Sequence, residues 1–389
     1  MIRLPVITIA GFLVMGVGGS ALGVAWPAMS DTLGRSISEL GVLFVATGLT
    51  HAASSLYYGA LWRRYGTGPL LAAGCLLTVG WFIVFTTAGS WLLILLSSLV
   101  GGLGFGLMDT GLNVHWALEG DQRVMNLGHA GYGVGATAGP LLMTAVLGTA
   151  LSWRLGFLIL AALNGAMLLA YAATTQAWPS TEPAPEEADT AASPRLPLRL
   201  LLGSSALFIL DAGLEFASGQ WAFSLFTESR GLSDTTAGML VTAYWGVYAA
   251  CRILLGLLGT RLASTSAVTI GAVTAATGTV LLWWAPAAWI GGLGLTLIGA
   301  GLAPIFPAMI LLTPGRVGTH HTATAVGVQF ASVSVGMLLL PAGMGLVVEW
   351  FGLEAIPLVL VAAACALVVG AVLTFQFGDR RKPEPAQCL

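Results

Sequence analysis

Asp109 and Asn113 stand four residues apart in an otherwise apolar run, with Trp116 following on the same side if the run is helical. Residues at i and i+4 share a helix face, about 6 Å apart along the axis. That face would combine a proton carrier, an amide and an indole. Such a mixture suits a sugar: the carboxyl and amide bond paired hydroxyls, while the indole stacks on the C–H face of the ring. A second run repeats the spacing, with Asp211 and Glu215 four apart and Gln220-Trp221 beyond them. Two carboxylates on one face repel unless one is protonated or paired. Arg252, alone in a later apolar run, is the obvious partner. Asp211 is the expected one of the two, because it and Arg252 should lie at similar depth; Asp211 and Arg252 would then form an ion pair or part of a gate. Glu215 would stay available for protons or substrate.

His51, His129 and Gln329 are the other polar groups in apolar runs, and Trp26 is the notable side chain of the first. His129, followed by Tyr132 and a glycine-rich stretch, is the histidine expected to meet substrate; His51 reads as a packing residue. A metal site would need carboxylates or thiolates converging on these histidines, and none falls at helical spacing. No cofactor is expected. Neither a Ser, His and Asp set nor a His-rich motif occurs at a spacing that would serve hydrolysis, so an enzyme is not expected.

The elements that must hold these groups are dictated by composition. Of 389 residues, 57% are hydrophobic and 8% charged. Soluble domains carry about 25% charged residues, so most of this chain's surface must face a lipid bilayer. A spanning helix needs roughly 20 apolar residues, and apolar runs fall near 5–29, 37–62, 68–88, 91–117, 124–149 and 153–175. A second set falls near 198–227, 234–260, 265–285, 287–313, 319–348 and 352–376. The expected fold is therefore all-α and integral to the membrane, with twelve spanning helices in two pseudo-symmetric bundles of six. The domain reading is 1–175 and 198–377 for the bundles, 176–197 for a cytoplasmic linker and 378–389 for a cytoplasmic tail. The linker is rich in proline, alanine and acidic residues, a composition that cannot bury a core.

With both termini inside, eleven basic residues (Arg3, Arg63, Arg64, Arg123, Arg195, Arg199, Arg261, Arg316, Arg380, Arg381, Lys382) lie on the cytoplasmic side. Arg35, Arg154 and Arg230 lie on the other, so the positive-inside rule is met. A bacterial-type inner membrane is expected. The formal net charge of −2 and the lack of a basic stripe argue against nucleic acid, and nothing in the sequence demands more than a monomer. The two halves repeat in outline. Each has an arginine-bearing turn after its second helix, a glycine-rich fourth helix and a proline in its fifth (Pro140 and Pro341). Two such halves suit a transporter that rocks about a midplane site.

Three segments carry a resemblance to a known family: Gly104-Phe-Gly-Leu-Met-Asp-Thr-Gly-Leu-Asn113, Gly213-Leu-Glu-Phe-Ala-Ser-Gly-Gln-Trp221 and Gly299-Ala-Gly-Leu-Ala-Pro-Ile-Phe-Pro307. Through them the chain resembles the major facilitator superfamily over essentially its whole length. Within it, the chain is similar to the fucose, galactose and glucose proton symporters. The resemblance implies proton or substrate roles for Asp109 and Glu215, and a sugar pathway lined by Asn113, Gln220 and Trp221. Two departures stand out. Trp62-Arg63-Arg64 lacks the Asp usual before the arginine of that loop, and residues 16–29 hold no acid.

The expected function is proton-coupled import of a small polar solute, most simply a monosaccharide, by alternating access. Trp116, His129, Gln329 and Trp26 would join the sugar-lining residues. A proton-driven exporter of drugs or metabolites is the rival reading, because Gly135-Ala-Thr-Ala-Gly-Pro140 partly matches an antiporter motif. A sensor built on a transporter fold would bind its ligand without moving it.

Overall fold

A computed structural model describes residues 4–119, 122–150, 152–178, 198–258, 265–317 and 319–376. Among these, thirteen α-helices and three short turns of 3-10 or π-helix make up the fold. Twelve segments are long and apolar enough to cross a membrane. Helices are forced here, because only a helix satisfies every backbone N–H and C=O within its own segment when lipid offers no partners.

The first half comprises α1 (Leu4–Leu33), α2 (Leu40–Tyr65), α3 (Thr67–Thr87), α4 (Trp91–Glu119), α5 (Gln122–Leu147) and α6 (Ser152–Thr174). The second comprises α7 (Leu198–Ser224), α8 (Asp234–Leu258), α9 (Thr265–Trp284), α10 (Ala288–Leu302), α11 (Ile305–Val317), α12 (Thr319–Phe351) and α13 (Ala355–Gln376). The tenth apolar run, read from sequence as one helix, is thus two. Pro304 has no N–H and so cannot continue the ladder of α10, while Ala303 before it keeps helical geometry, with φ −50° and ψ −43°. The chain turns at Ala303 and Pro304 and restarts at Ile305. Pro27, Pro140 and Pro341 lie inside unbroken helices.

Packing obeys a twofold repeat. In the first half α1 lies on α5, α3 on α4 and α6, and α2 on α4; in the second α7 lies on α12, α9 on α10 and α13, and α8 on α10. Gly34 after α1 and Gly231 beyond α7 both adopt positive φ, at 61° and 65°, so the repeat extends to the turns. The halves meet through α1 on α7, α5 on α8 and α2 on α12, again related by exchange of the halves. With an even number of spans, Leu4 and Gln376 emerge on one face, here called the terminal face; the opposite face is distal.

Glycine sets how closely these helices approach. On α5, an added Cβ at Gly135 would strike the Leu13 carbonyl, and one at Gly139 would strike Ser20 and the Val17 carbonyl. On α12, one at Gly336 would strike the Ile209 carbonyl. The chain after α6 is anchored before it leaves the described residues. Trp178, expected in a solvated linker, is buried; its Nε1 donates to Thr174 Oγ1 at 3.2 Å, and its ring meets Tyr171 and His115.

Candidate functional site

Polar chemistry inside the spans gathers at two places, one in each half. In the first half, Asn113 Nδ2 donates to Asp109 Oδ1 at 3.0 Å and to the Asp109 carbonyl at 2.9 Å. From α2, His51 Nε2 lies 3.4 Å from Asp109 Oδ2, without hydrogen-bond alignment. His51 is therefore the neighbour of the candidate proton carrier rather than only a packing residue. The Asp109 side chain keeps 34% of its surface exposed. Trp116 lies on that helix but is spent elsewhere: it is buried, donates to Thr8 Oγ1 of α1 at 2.7 Å and packs against His115.

In the second half, α8 presents Tyr244, Tyr248 and Arg252 at successive intervals of four, so the three form one stripe facing α7. Tyr244 Oη donates to the Glu215 carbonyl at 2.8 Å, and Tyr248 Oη donates to Glu215 Oε2 at 2.5 Å. Arg252 places a guanidinium nitrogen 3.9 Å from the same oxygen and stacks over the Tyr248 ring at 4.3 Å. The expected pairing of Arg252 with Asp211 is corrected: Glu215 holds the arginine. The α7–α8 register sets Tyr248 and Arg252 at the level of Glu215, one turn distal to Asp211. Asp211 is buried, with Oδ1 unpartnered among the described residues. The tyrosines were missed in the sequence because they read as apolar; their four-residue spacing up to an intramembrane arginine was the available signal.

An aromatic bridge joins the two halves and ends at the second of these places. His129 on α5 lies between Phe12 of α1, with ring centroids 5.1 Å apart, and Phe306 of α11 at 5.9 Å. Phe306 is the second residue after the break in the tenth span, and its ring lies 5.8 Å from the Arg252 guanidinium. His129 thus reaches across to the second half.

The remaining candidates are engaged in helix contacts. Gln220 bonds the α1 main chain, through Nε2 to the Gly19 carbonyl at 2.6 Å and through Oε1 from the Gly23 N–H at 2.9 Å. Trp221 is fully buried and donates to the Pro341 carbonyl at 2.9 Å. Trp26 is also fully buried; it donates to the Ile37 carbonyl at 2.7 Å and meets Trp91. Gln329 bonds Thr313 within the second half, with Nε2 2.9 Å from Oγ1. None of these four touches Asp109 or Glu215 through a hydrogen bond in this arrangement.

The sequence profile of the Major Facilitator Superfamily matches residues 8–227 and 206–387, which together span nearly the whole chain. The chain belongs to the Major Facilitator Superfamily. It is a multi-pass membrane transporter of a small molecule, not an enzyme. Among relatives of this facilitator, sodium-dependent glucose transporter 1A of Mus musculus is 25% identical over 385 residues, 87% of this chain and 88% of its own. Tetracycline resistance protein, class C, of Escherichia coli is 29% identical over 292 residues, 72% of this chain and 69% of its own. The solved structure of the nucleoside transporter NupG superposes with a TM-score of 0.74 at 14% identity, covering 96% of this chain and 100% of that one. A bacterial homologue of the human lysosomal transporter Spinster, inward-facing and occupied, gives 0.71 at 15% identity, covering 97% of each. These two likenesses concern the fold.

Proposed function

We propose that this facilitator imports a small polar solute, a monosaccharide, together with protons. The observation that carries the reading is the division of labour between the two carboxyls. Glu215 is compensated by Arg252 and Tyr248, whereas Asp109 is half-buried, keeps an exposed edge and is flanked by an amide and an imidazole. A proton on Asp109 turns its carboxyl into a donor, so that with Asn113 it offers a sugar hydroxyl both a donor and an acceptor. His51 beside it is a second site for the proton in transit. The name of the mouse relative supports a hexose as the solute.

In the proposed cycle, solute and proton enter together and supply the differential affinity that lets the halves exchange arrangements. Moving such an equilibrium from 1:99 to 99:1 requires about 5.5 kcal/mol. Opening to the other side hydrates Asp109, the proton leaves, and the sugar loses its donor. Residues 1–175 and 198–377 act as the rocking bodies, with 176–197 as a cytoplasmic linker, 378–389 as a cytoplasmic tail and the monomer as the working unit. The charge bias of the loops supports cytoplasmic termini in a bacterial-type inner membrane. The distal face is then external.

The test is current from purified protein in liposomes on a solid support, pulsed with hexoses, 6-deoxyhexoses and pentoses in sodium-free buffer. A transient inward current with one sugar, lost in Asp109→Asn, is expected. A current that requires sodium keeps the sugar and overturns the proton, an outcome that the mouse relative's name makes worth measuring. Silence to every sugar, in folded protein, favours the exporter reading that the tetracycline-resistance relative supports. The glycines of the partial antiporter motif weigh little in that choice, because Gly135 and Gly139 serve the approach of α5 to α1.

A further inference from the structure

Gln220 does something unusual for a side chain: its amide meets both ends of what would be a single backbone hydrogen bond of another helix. In a regular α-helix the N–H of residue 23 pairs with the carbonyl of residue 19. Here the Gly19 carbonyl accepts from Gln220 Nε2 at 2.6 Å, and the Gly23 N–H donates to Gln220 Oε1 at 2.9 Å. The amide is thus set against the ladder of α1 at one turn, a place where side chains are known to bend helices. Gly23 makes this possible. A Cβ there would strike the main chain of α7 at Gln220 itself. Gln220 is buried, and Trp221 beside it is tied to α12 in its own half, so this turn of α7 is fixed on one side and latched to the other half on the other.

The position gives the contact its meaning. Gln220 lies five residues beyond Glu215 toward the distal face, about 7.5 Å along α7. The α1–α7 contact closes the interface between halves directly on the distal side of Glu215 and Arg252. We infer that the Gln220 amide is the distal latch of this transporter: docked on Gly19 and Gly23 it holds the halves together there, and it must leave α1 before they part. α1 runs as an unbroken helix through this turn, so when the amide leaves, its main-chain groups stay within the helix and the latch releases without stranding a backbone group. The inference rests on the family's two-bundle architecture and not on the sugar or the coupling ion.

The experiment reads opening directly. Ser224 lies one turn beyond Gln220 on the same face and is fully buried. In a chain whose four native cysteines are replaced by alanine, Ser224→Cys is labelled with a water-soluble maleimide in detergent. Adding Gln220→Ala is expected to speed labelling about tenfold, the shift carried by loss of one or two modest hydrogen bonds. Gln220→Glu keeps the acceptor for the Gly23 N–H but sets a carboxylate oxygen against the Gly19 carbonyl, and is expected to act in the same direction. Gly23→Ala, which displaces α7 without touching the amide, should do so too. Unchanged labelling in Gln220→Ala and Gln220→Glu proteins that melt near the parent temperature would overturn the latch. So would an equal rise at the buried core control Ala371→Cys, which would mean general loosening. Because no solute or ion enters the assay, failure here leaves the transport reading untouched.

Discussion

The two intramembrane carboxyl sites occupy opposite halves of one repeated fold yet are built on opposite principles. Glu215 has 10% of its side chain exposed, an arginine at 3.9 Å and a phenol on the same oxygen. Asp109 has 34% exposed, an amide on one oxygen and an unaligned imidazole near the other. The first is a carboxyl tied on one oxygen by two partners; the second is a carboxyl with an exposed edge. The repeat therefore duplicates scaffold rather than chemistry, and under the proposed function the sealed site would serve stability and the exposed one coupling.

Breaking the compensated site should produce the largest effect. Removing one member of a buried pair leaves an unpaired charge and costs about 3–5 kcal/mol, whereas replacing both by apolar groups can be nearly neutral. Arg252→Met is expected to lower the melting temperature of the purified protein severely, and Glu215→Gln with Arg252→Met to recover much of the loss. A double substitution no more stable than Arg252→Met alone would show that the arginine serves some other partner, with Asp211 the first to examine.

Asp109→Asn should separate the two sites further. At a position this exposed, the change in stability is expected to stay below about 1 kcal/mol. Uphill accumulation should nonetheless vanish while exchange of solute for solute persists, since exchange needs no net proton movement. Counterflow and accumulation measured in the same liposomes check this. If Asp109→Asn still concentrates solute, coupling belongs to Glu215 and the division of labour collapses.

Tyr248→Phe is the finer probe of the compensated half. It removes the phenolic donor from Glu215 Oε2 while leaving the ring beneath the Arg252 guanidinium. Hydrogen bonds to charged groups contribute about 1.5–3 kcal/mol, so the expected loss is smaller than that of Arg252→Met and is read in the same melting assay. A Tyr248→Phe protein as unstable as Arg252→Met would mean that the phenol, not the guanidinium, holds Glu215.

How much of this was legible in the sequence depends on whether a feature is local. The twelve runs were readable because hydropathy is a property of each segment, and Asp109 with Asn113 because both sit on one helix at a fixed spacing. The partner of Arg252 was not, since it depends on the vertical offset between α7 and α8, which no single-helix period encodes. Tyr244 and Tyr248 were hidden for a related reason: a tyrosine counts as apolar until its hydroxyl is seen to face an acid. The break at Pro304 was missed because proline alone does not decide it. Pro27, Pro140 and Pro341 sit within continuous helices whose neighbours tolerate the lost bond. Gln220 and Trp221 were singled out rightly as polar groups in a span, but whether such a group faces a solute or another helix is a matter of rotation and packing.

The smallest effect lies outside the spans and tests whether burial is what separates the two sites. At the distal end of the second half, Arg230 donates to both Glu354 oxygens at 3.0 Å and to the Leu282 carbonyl at 3.0 Å, while Ser229 Oγ donates to Glu354 at 2.9 Å. These donors, the Arg230 hydrogen bonds foremost, hold the Glu354 carboxyl below its usual range despite partial desolvation. A lowered folded-state value means that the stabilisation is present above the unfolded carboxyl value near 4 and is lost as pH falls through the folded one. The Glu354 side chain is 53% exposed, so solvent screening keeps the contribution within the range of surface pairs, under about 1 kcal/mol. Glu354→Gln is therefore expected to lower the melting temperature slightly at pH 7 and not at all once the parent's carboxyl is protonated. It should do so less as salt rises, because exposed pairs are screened. Arg252→Met, measured alongside, should keep its full cost at high salt, since its partner lies where ions do not reach. If the two substitutions respond alike to salt, Glu215 and Arg252 are hydrated in solution, and the contrast between a sealed half and an open one would have to be abandoned.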